Sequence, residues 1–157
     1  MKPRKNKRML TFIEVTGSRT PENLDRALIE NSAASFHFEQ AGNRRYLARV
    51  ENNLGFLHYT IGRYPDAHQH LNHARRLFIE LEDIGSVAQV DETRARIMLA
   101  EGNLREAERV IKAAVRVLER GGQQALLAEA LTTQGTVMAR IGNYSRARRG
   151  GPNHLPG

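Results

Sequence analysis

Cysteine is absent from the 157-residue sequence, aromatic side chains make up only 6% of it, and β-branched runs are rare. Without cysteine there is no disulfide, no thiolate nucleophile and no cysteine-ligated zinc, and a reducing compartment suits the chain, so a cytoplasmic location is expected. No apolar stretch approaches the roughly 18 residues that span a bilayer. The basic start at residues 1–8 leads only into a short run at 9–15, too short and too polar for a secretory signal, and no membrane role is expected. A Gly-rich phosphate loop, a nucleophile elbow and a His-Glu metal motif are also missing, so we expect neither an enzyme nor a cofactor.

The net charge of +7 sits at the ends. Lys2, Arg4, Lys5, Lys7 and Arg8 at one end, with Arg146, Arg148 and Arg149 at the other, are eight of 24 basic residues, and the rest of the chain carries 16 basic against 17 acidic. Nucleic acid is therefore an expected partner only through the basic tails, where clustered cations meet phosphates without sequence preference.

What is abundant is alanine, leucine, arginine and glutamate, residues that lose little side-chain freedom in a helix. Laid against itself, the chain repeats at a spacing of forty residues. Gly62, Gly102 and Gly142 fall in register, as do Ala27, Ala67, Ala107 and Ala147, then Ala34, Ala74 and Ala114, then Leu24, Tyr64, Leu104 and Tyr144. Conservative columns follow: Phe38, Phe78 and Leu118, and Gly55, Ala95 and Gly135. Between these marks the apolar spacing is helical, as in Leu47, Val50, Leu54 and Leu57. Each unit is therefore two helices. Glycine permits the left-handed residue that ends a helix, so Gly62-Arg63, Gly102-Asn103 and Gly142-Asn143 read as turns within units. Gly42-Asn43, residues 83–86 and Gly121-Gly122 read as turns between them, with Asn43 and Ser86 as N-caps. Helices are expected near 21–41, 44–61, 64–83, 86–101, 103–120 and 123–141, followed by a stub from Asn143.

At these positions the chain resembles the tetratricopeptide repeat: Leu54-Gly55, Gly62, Tyr64, Ala67, Leu71 and Ala74 follow its pattern best. The resemblance covers about 21–149, with departures. The tryptophan-like position holds Glu51, Asp91 and Leu131, the helix-ending proline is missing, and the period is forty instead of 34. It looks like the long-period variety found in kinesin light chains and in bacterial signalling proteins. What the resemblance implies is an all-α superhelix, a solenoid of antiparallel helix pairs, whose concave groove receives a peptide or helix of another protein. The groove positions it assigns are Arg49, Asn52, Asn53, Phe56 and Tyr59, then Gln89, Glu92 and Arg96, then Glu129, Thr132 and Thr136. The clamp by which chaperone-binding members hold a C-terminal carboxylate is not expected, because its lysine position is Asn52 with Phe56 beside it.

Other residue clusters have plainer readings. His68, His70 and His73 suggest a metal, but on a helix His68 points about 200° away from His70, and no cysteine completes the set. His58 could act as a base, yet no nucleophile accompanies it, and packing or a groove contact is the expected role. The carboxylates of Asp91-Glu92 and of Glu80, Glu82 and Asp83 are expected to be solvated or ion-paired surface.

The repeat stops inside the second helix of its third unit. Residues 1–20 are then a basic tail, units lie at about 21–42, 43–85, 86–122 and 123–149, and residues 150–157 are a second tail. The last helix, with Leu126, Leu127, Leu131, Val137 and Ile141, should leave apolar surface open. The chain would then be a fragment of a longer regulatory protein, a truncated frame, or half of a homodimer that pairs its open ends. Protein binding is the expected function, with a nucleic-acid-contacting regulator as the alternative.

Overall fold

The computed structural model describes residues 20–150. Both tails fall almost wholly outside the described residues. Those described form six helices and no strand: α1 (Pro21–Gln40), α2 (Arg44–Thr60), α3 (Tyr64–Glu80), α4 (Ile84–Ala100), α5 (Leu104–Gly121) and α6 (Gln124–Arg149). The architecture is an all-α helical repeat, as expected. None of these helices is long and apolar enough to cross a membrane.

The backbone divides into two compact units, the first ending at Ala74 and the second starting at Arg75, both within α3. In the first, α1 packs on α2, and Leu71 of α3 lies directly over Gly55 of α2. In the second, α5 packs on both α4 and α6, and α4 also meets α6. Its core joins Ala88, Ala95 and Met98 to Ala107, Ile111, Ala114, Leu118, Ala130 and Val137.

The turns fall every twenty residues, twice as often as the sequence columns. Gly42, Gly62, Gly102 and Gly122 are left-handed, with φ of +64°, +78°, +81° and +69°, and Glu82 joins them at +55°. At the first four turns the N–H of the next residue reaches back to close the helix end: Asn43 to Phe38, Arg63 to His58, Asp83 to Phe78 and Asn103 to Met98, all at 2.8–2.9 Å. A non-glycine residue in this conformation costs about 1–2 kcal/mol, and Glu82 hides its turn from any reading keyed to glycine. The residue that closes one helix also opens the next. The Asn43 side chain accepts from the Tyr46 N–H and that of Asp83 from the Ser86 N–H. Ser86 is therefore not the cap of α4. It sits in the first turn, where its hydroxyl donates to Asp83 Oδ2 at 2.8 Å. Thr20 caps α1 ahead of Pro21, its side chain accepting from the Asn23 N–H.

One expected turn is missing. Gly142 and Asn143 lie inside α6, which runs 26 residues without a break, so there is no separate stub. A left-handed turn becomes favourable when the following helix folds back and packs. Residues 144–149 offer only Tyr144 and Ala147 among serine and three arginines, and the chain stays in the local helix its residues prefer.

Candidate functional site

The groove positions of the first helices divide between the two units. On α2, Arg49 is exposed while Asn52, Asn53, Phe56 and Tyr59 are half-buried. The Phe56 and Tyr59 rings stand 6.0 Å apart, and Asn52 Oδ1 is buried without a hydrogen-bond partner among the described residues. On α4 and α6, Gln89 and Arg96 are half-buried, and Glu129, Thr132 and Thr136 are exposed. Glu92 departs from the expectation of a ligand contact. It is buried, and its carboxylate accepts from Arg96 Nε and from the Thr133 hydroxyl, both at 2.5 Å. The Thr133 bond ties α4 to α6. Thr133, which the repeat pattern does not single out, is also buried.

Asp91 is ion-paired, as one expected reading has it, but it is buried instead of on the surface, and Glu51 is buried too. Asp91 accepts from Arg75 Nε at 2.9 Å and from Arg94 at 2.7 Å. Forty residues earlier, Glu51 accepts from the Ser35 hydroxyl, with His70 Nδ1 at 2.8 Å and His73 Nδ1 at 3.2 Å. Ser35 and Arg75 are themselves forty residues apart, so one polar contact repeats between a second helix and the first helix after it. At the next repeat the positions hold Val115 and Leu131.

Of the histidines weighed for metal binding, His70 and His73 share Glu51, and His68 does not join them. Among the described residues no group of three or more ligands is disposed to hold a metal ion. His58 stacks on His70 with centroids 5.1 Å apart and planes 7° from parallel, a packing contact.

Burial raises the Glu51 pKa, but the bonds from His70 and Ser35 and the charges of His70 and His73 outweigh it, so the carboxyl titrates below its ordinary 4.5. Burial, with the adjacent His70, pushes His58 below 6.5, against a smaller opposing pull from Asp66. Folded His58 thus binds fewer protons than unfolded His58 just below pH 6.5, and the same holds for Glu51 just below pH 4.5. Stability is fully present above pH 6.5. It falls first as His58 protonates and again as pH drops through the folded Glu51 value. Urea midpoints measured from pH 8 to pH 2 are expected to show both steps, and His58→Gln to remove the upper one.

One first-helix face is left uncovered, on α6. First-helix positions at Ala48, Glu51 and Gly55 on α2, and at Ala88, Asp91, Ala95 and Met98 on α4, are all buried. The matching residues of α6, Ala128, Leu131, Gly135 and Met138, are exposed, Leu131 by 45% and Met138 by 46%. Within the first unit Leu71 fills the space over Gly55, where an added Cβ would sit 2.5 Å from Leu71 Cγ. Over Gly135 there is open space. Val137, by contrast with the expectation of an open face, is buried, and Leu126, Leu127 and Ile141 are half-buried.

No protein-family model matches the chain, and no curated protein matches it either.

Proposed function

We propose that this protein is a protein-interaction module in which α6, a first helix whose seam no described residue covers, binds an amphipathic helix of another protein. The observation that carries this reading is the uncovered seam of Ala128, Leu131, Gly135 and Met138, in register with seams that are covered on α2 and α4. The chain states what such a helix requires. Ala67, Leu71 and Ala74 share the spacing of Ala107, Ile111 and Ala114: two small residues bracket a large buried one, which at Leu71 fills the space over Gly55. The α1 helix of another copy does not meet this need, because its corresponding residue is Asn31.

The tetratricopeptide resemblance is part of the same proposal. It adds a peptide-binding role for Arg49, Asn52, Asn53, Phe56 and Tyr59 in one unit and for Gln89, Arg96, Glu129, Thr132 and Thr136 in the other, with Glu92 acting from beneath. The unpaired Asn52 oxygen supports that role, since buried polar atoms in native proteins are rarely left without a partner.

A labelled peptide with the sequence of Tyr64–Glu80 tests the seam by fluorescence anisotropy. The full chain is expected to bind it. Leu131→Asp should weaken binding roughly ten-fold or more, since burying a leucine is worth about 1.5–3 kcal/mol and the carboxylate would have to be desolvated. Helicity should not change, because Leu131 is exposed in the free protein. Equal binding by the variant would refute the seam as the docking surface.

A further inference from the structure

The continuation of α6 past Gly142 creates a second feature, away from the seam. With 26 residues against 17 in α4, α6 is roughly 13 Å longer. Its last turns face the turn at Gly102 and the start of α5. Between them lies an open cleft of about 770 Å³, lined chiefly by Leu104, Arg105, Arg140, Ile141, Tyr144 and Arg148. Three of its lining residues are arginines and none is acidic. The Arg148 guanidinium is 6.0 Å from the centre of the Tyr144 ring. Arg105 also meets Glu108 at 3.5 Å, an exposed contact worth little in water. The cleft is thus cationic with apolar walls, and its volume falls within the roughly 300–1,000 Å³ typical of binding pockets.

The chain carries a matching surface at its other end. Helix α1 holds Glu22, Asp25, Glu30 and Glu39 against a single Arg26, which pairs with Glu30 at 3.0 Å. On one face, Asp25, Ile29 and Phe36 follow at helical spacing, with Ile29 71% and Phe36 67% exposed. The residues forty and eighty positions after Ile29 are Gln69 and Arg109, and those after Phe36 are Arg76 and Arg116. The other second helices are therefore polar where α1 is apolar. Nothing in the repeat itself calls for this substitution.

We infer that the arginine cleft of one molecule receives the acidic, apolar face of α1 from a second copy. Glu22, Asp25 and Glu39 answer the arginines, and Ile29 and Phe36 answer Leu104, Ile141 and Tyr144. A nucleic-acid ligand would satisfy the arginines and leave Ile29 and Phe36 without a role. The contact joins two different surfaces, so each copy offers one cleft and one α1 to its neighbours. It is independent of the seam.

Sedimentation velocity of the full chain over a range of concentrations provides the test. Mass should rise with concentration, and salt should weaken the association, because exposed charges are screened beyond about 8 Å at physiological ionic strength. Arg140→Glu with Arg148→Glu should give a monomer, and so should Asp25→Lys with Glu39→Lys. All four positions are exposed, so circular dichroism should report unchanged helices. Mixing the two double variants should restore association, since the reversed cleft of one then fits the reversed helix of the other. Hydrogen exchange of the unaltered protein adds a check that needs no variant, with protection at 21–40 and 140–149 growing with concentration. Three results overturn the proposal: a wild-type monomer at every concentration, association that survives either double variant, or a mixture that stays monomeric. Leu131→Asp should leave self-association unchanged, and its loss in that variant would assign the contact to the seam instead.

Discussion

Leu71→Ala is expected to lower the unfolding free energy by about 3 kcal/mol, within the 2–5 kcal/mol usual for a buried leucine. Leu71 is fully buried, and it fills space that Gly55 leaves on α2. The same contact reverses the usual rule for glycine in a helix. Gly55→Ala gains about 1 kcal/mol of helix propensity, but its Cβ would lie 2.5 Å from Leu71 Cγ and 3.3 Å from the Leu71 backbone nitrogen. Overpacking of this kind costs about 1–3 kcal/mol, so Gly55→Ala should destabilise the wild type slightly. In the Leu71→Ala background the side-chain clash is gone, only the 3.3 Å backbone approach remains, and Gly55→Ala should stabilise. Urea denaturation of the four proteins checks this, provided the denaturant slope stays constant. Additive effects of the two substitutions would mean that Gly55 and Leu71 do not share one contact.

The pair also shows why so much of the fold is legible in the sequence. A small residue facing a large one must recur wherever two helices approach closely, and a forty-residue comparison finds such columns directly: Gly55, Ala95 and Gly135 on one side, Leu71 and Ile111 on the other. Turns with glycine at the left-handed position are visible for the same reason. The misreadings occur where chemistry departs from the column. Glu82 occupies a glycine conformation, which moved the expected start of the next helix and its cap from Asp83 to Ser86. Gly142 has the right residue, but residues 144–149 offer little apolar surface to pack back, so the turn does not form.

The site is less legible because side-chain partners come from distant positions. The groove residues can be placed by register, and Asn52 and Phe56 occupy partly buried first-helix positions. Register alone does not reveal that Glu92 is held by Thr133, 41 residues away. Nor does it show that Glu51 collects Ser35, His70 and His73, because their identities change from repeat to repeat. The paired positions Ser35 and Glu51, then Arg75 and Asp91, would have disclosed the contact through their common 16-residue separation. The arginine cleft had no sequence signal, since it exists only because α6 fails to turn at Gly142.

Glu92→Ala carries the second large effect, an expected loss of about 2 kcal/mol. The carboxylate is buried, and removing it leaves the buried Thr133 hydroxyl without its acceptor, a type of loss that costs about 1–3 kcal/mol. Arg96 adds less, because its side chain is one-third exposed and can turn toward water. Replacing both buried partners with apolar residues should therefore recover most of the stability, and Glu92→Leu with Thr133→Val is expected within about 1 kcal/mol of the wild type. The bond joins α4 to α6, the helix that presents both the open seam and the arginine cleft. Hydrogen exchange in Glu92→Ala should rise along α6 more than in the first unit, while Glu92→Leu with Thr133→Val should restore protection. A uniform rise across both units would show that Glu92 supports global stability only, and that α6 is held by its apolar contacts through Ala130 and Val137.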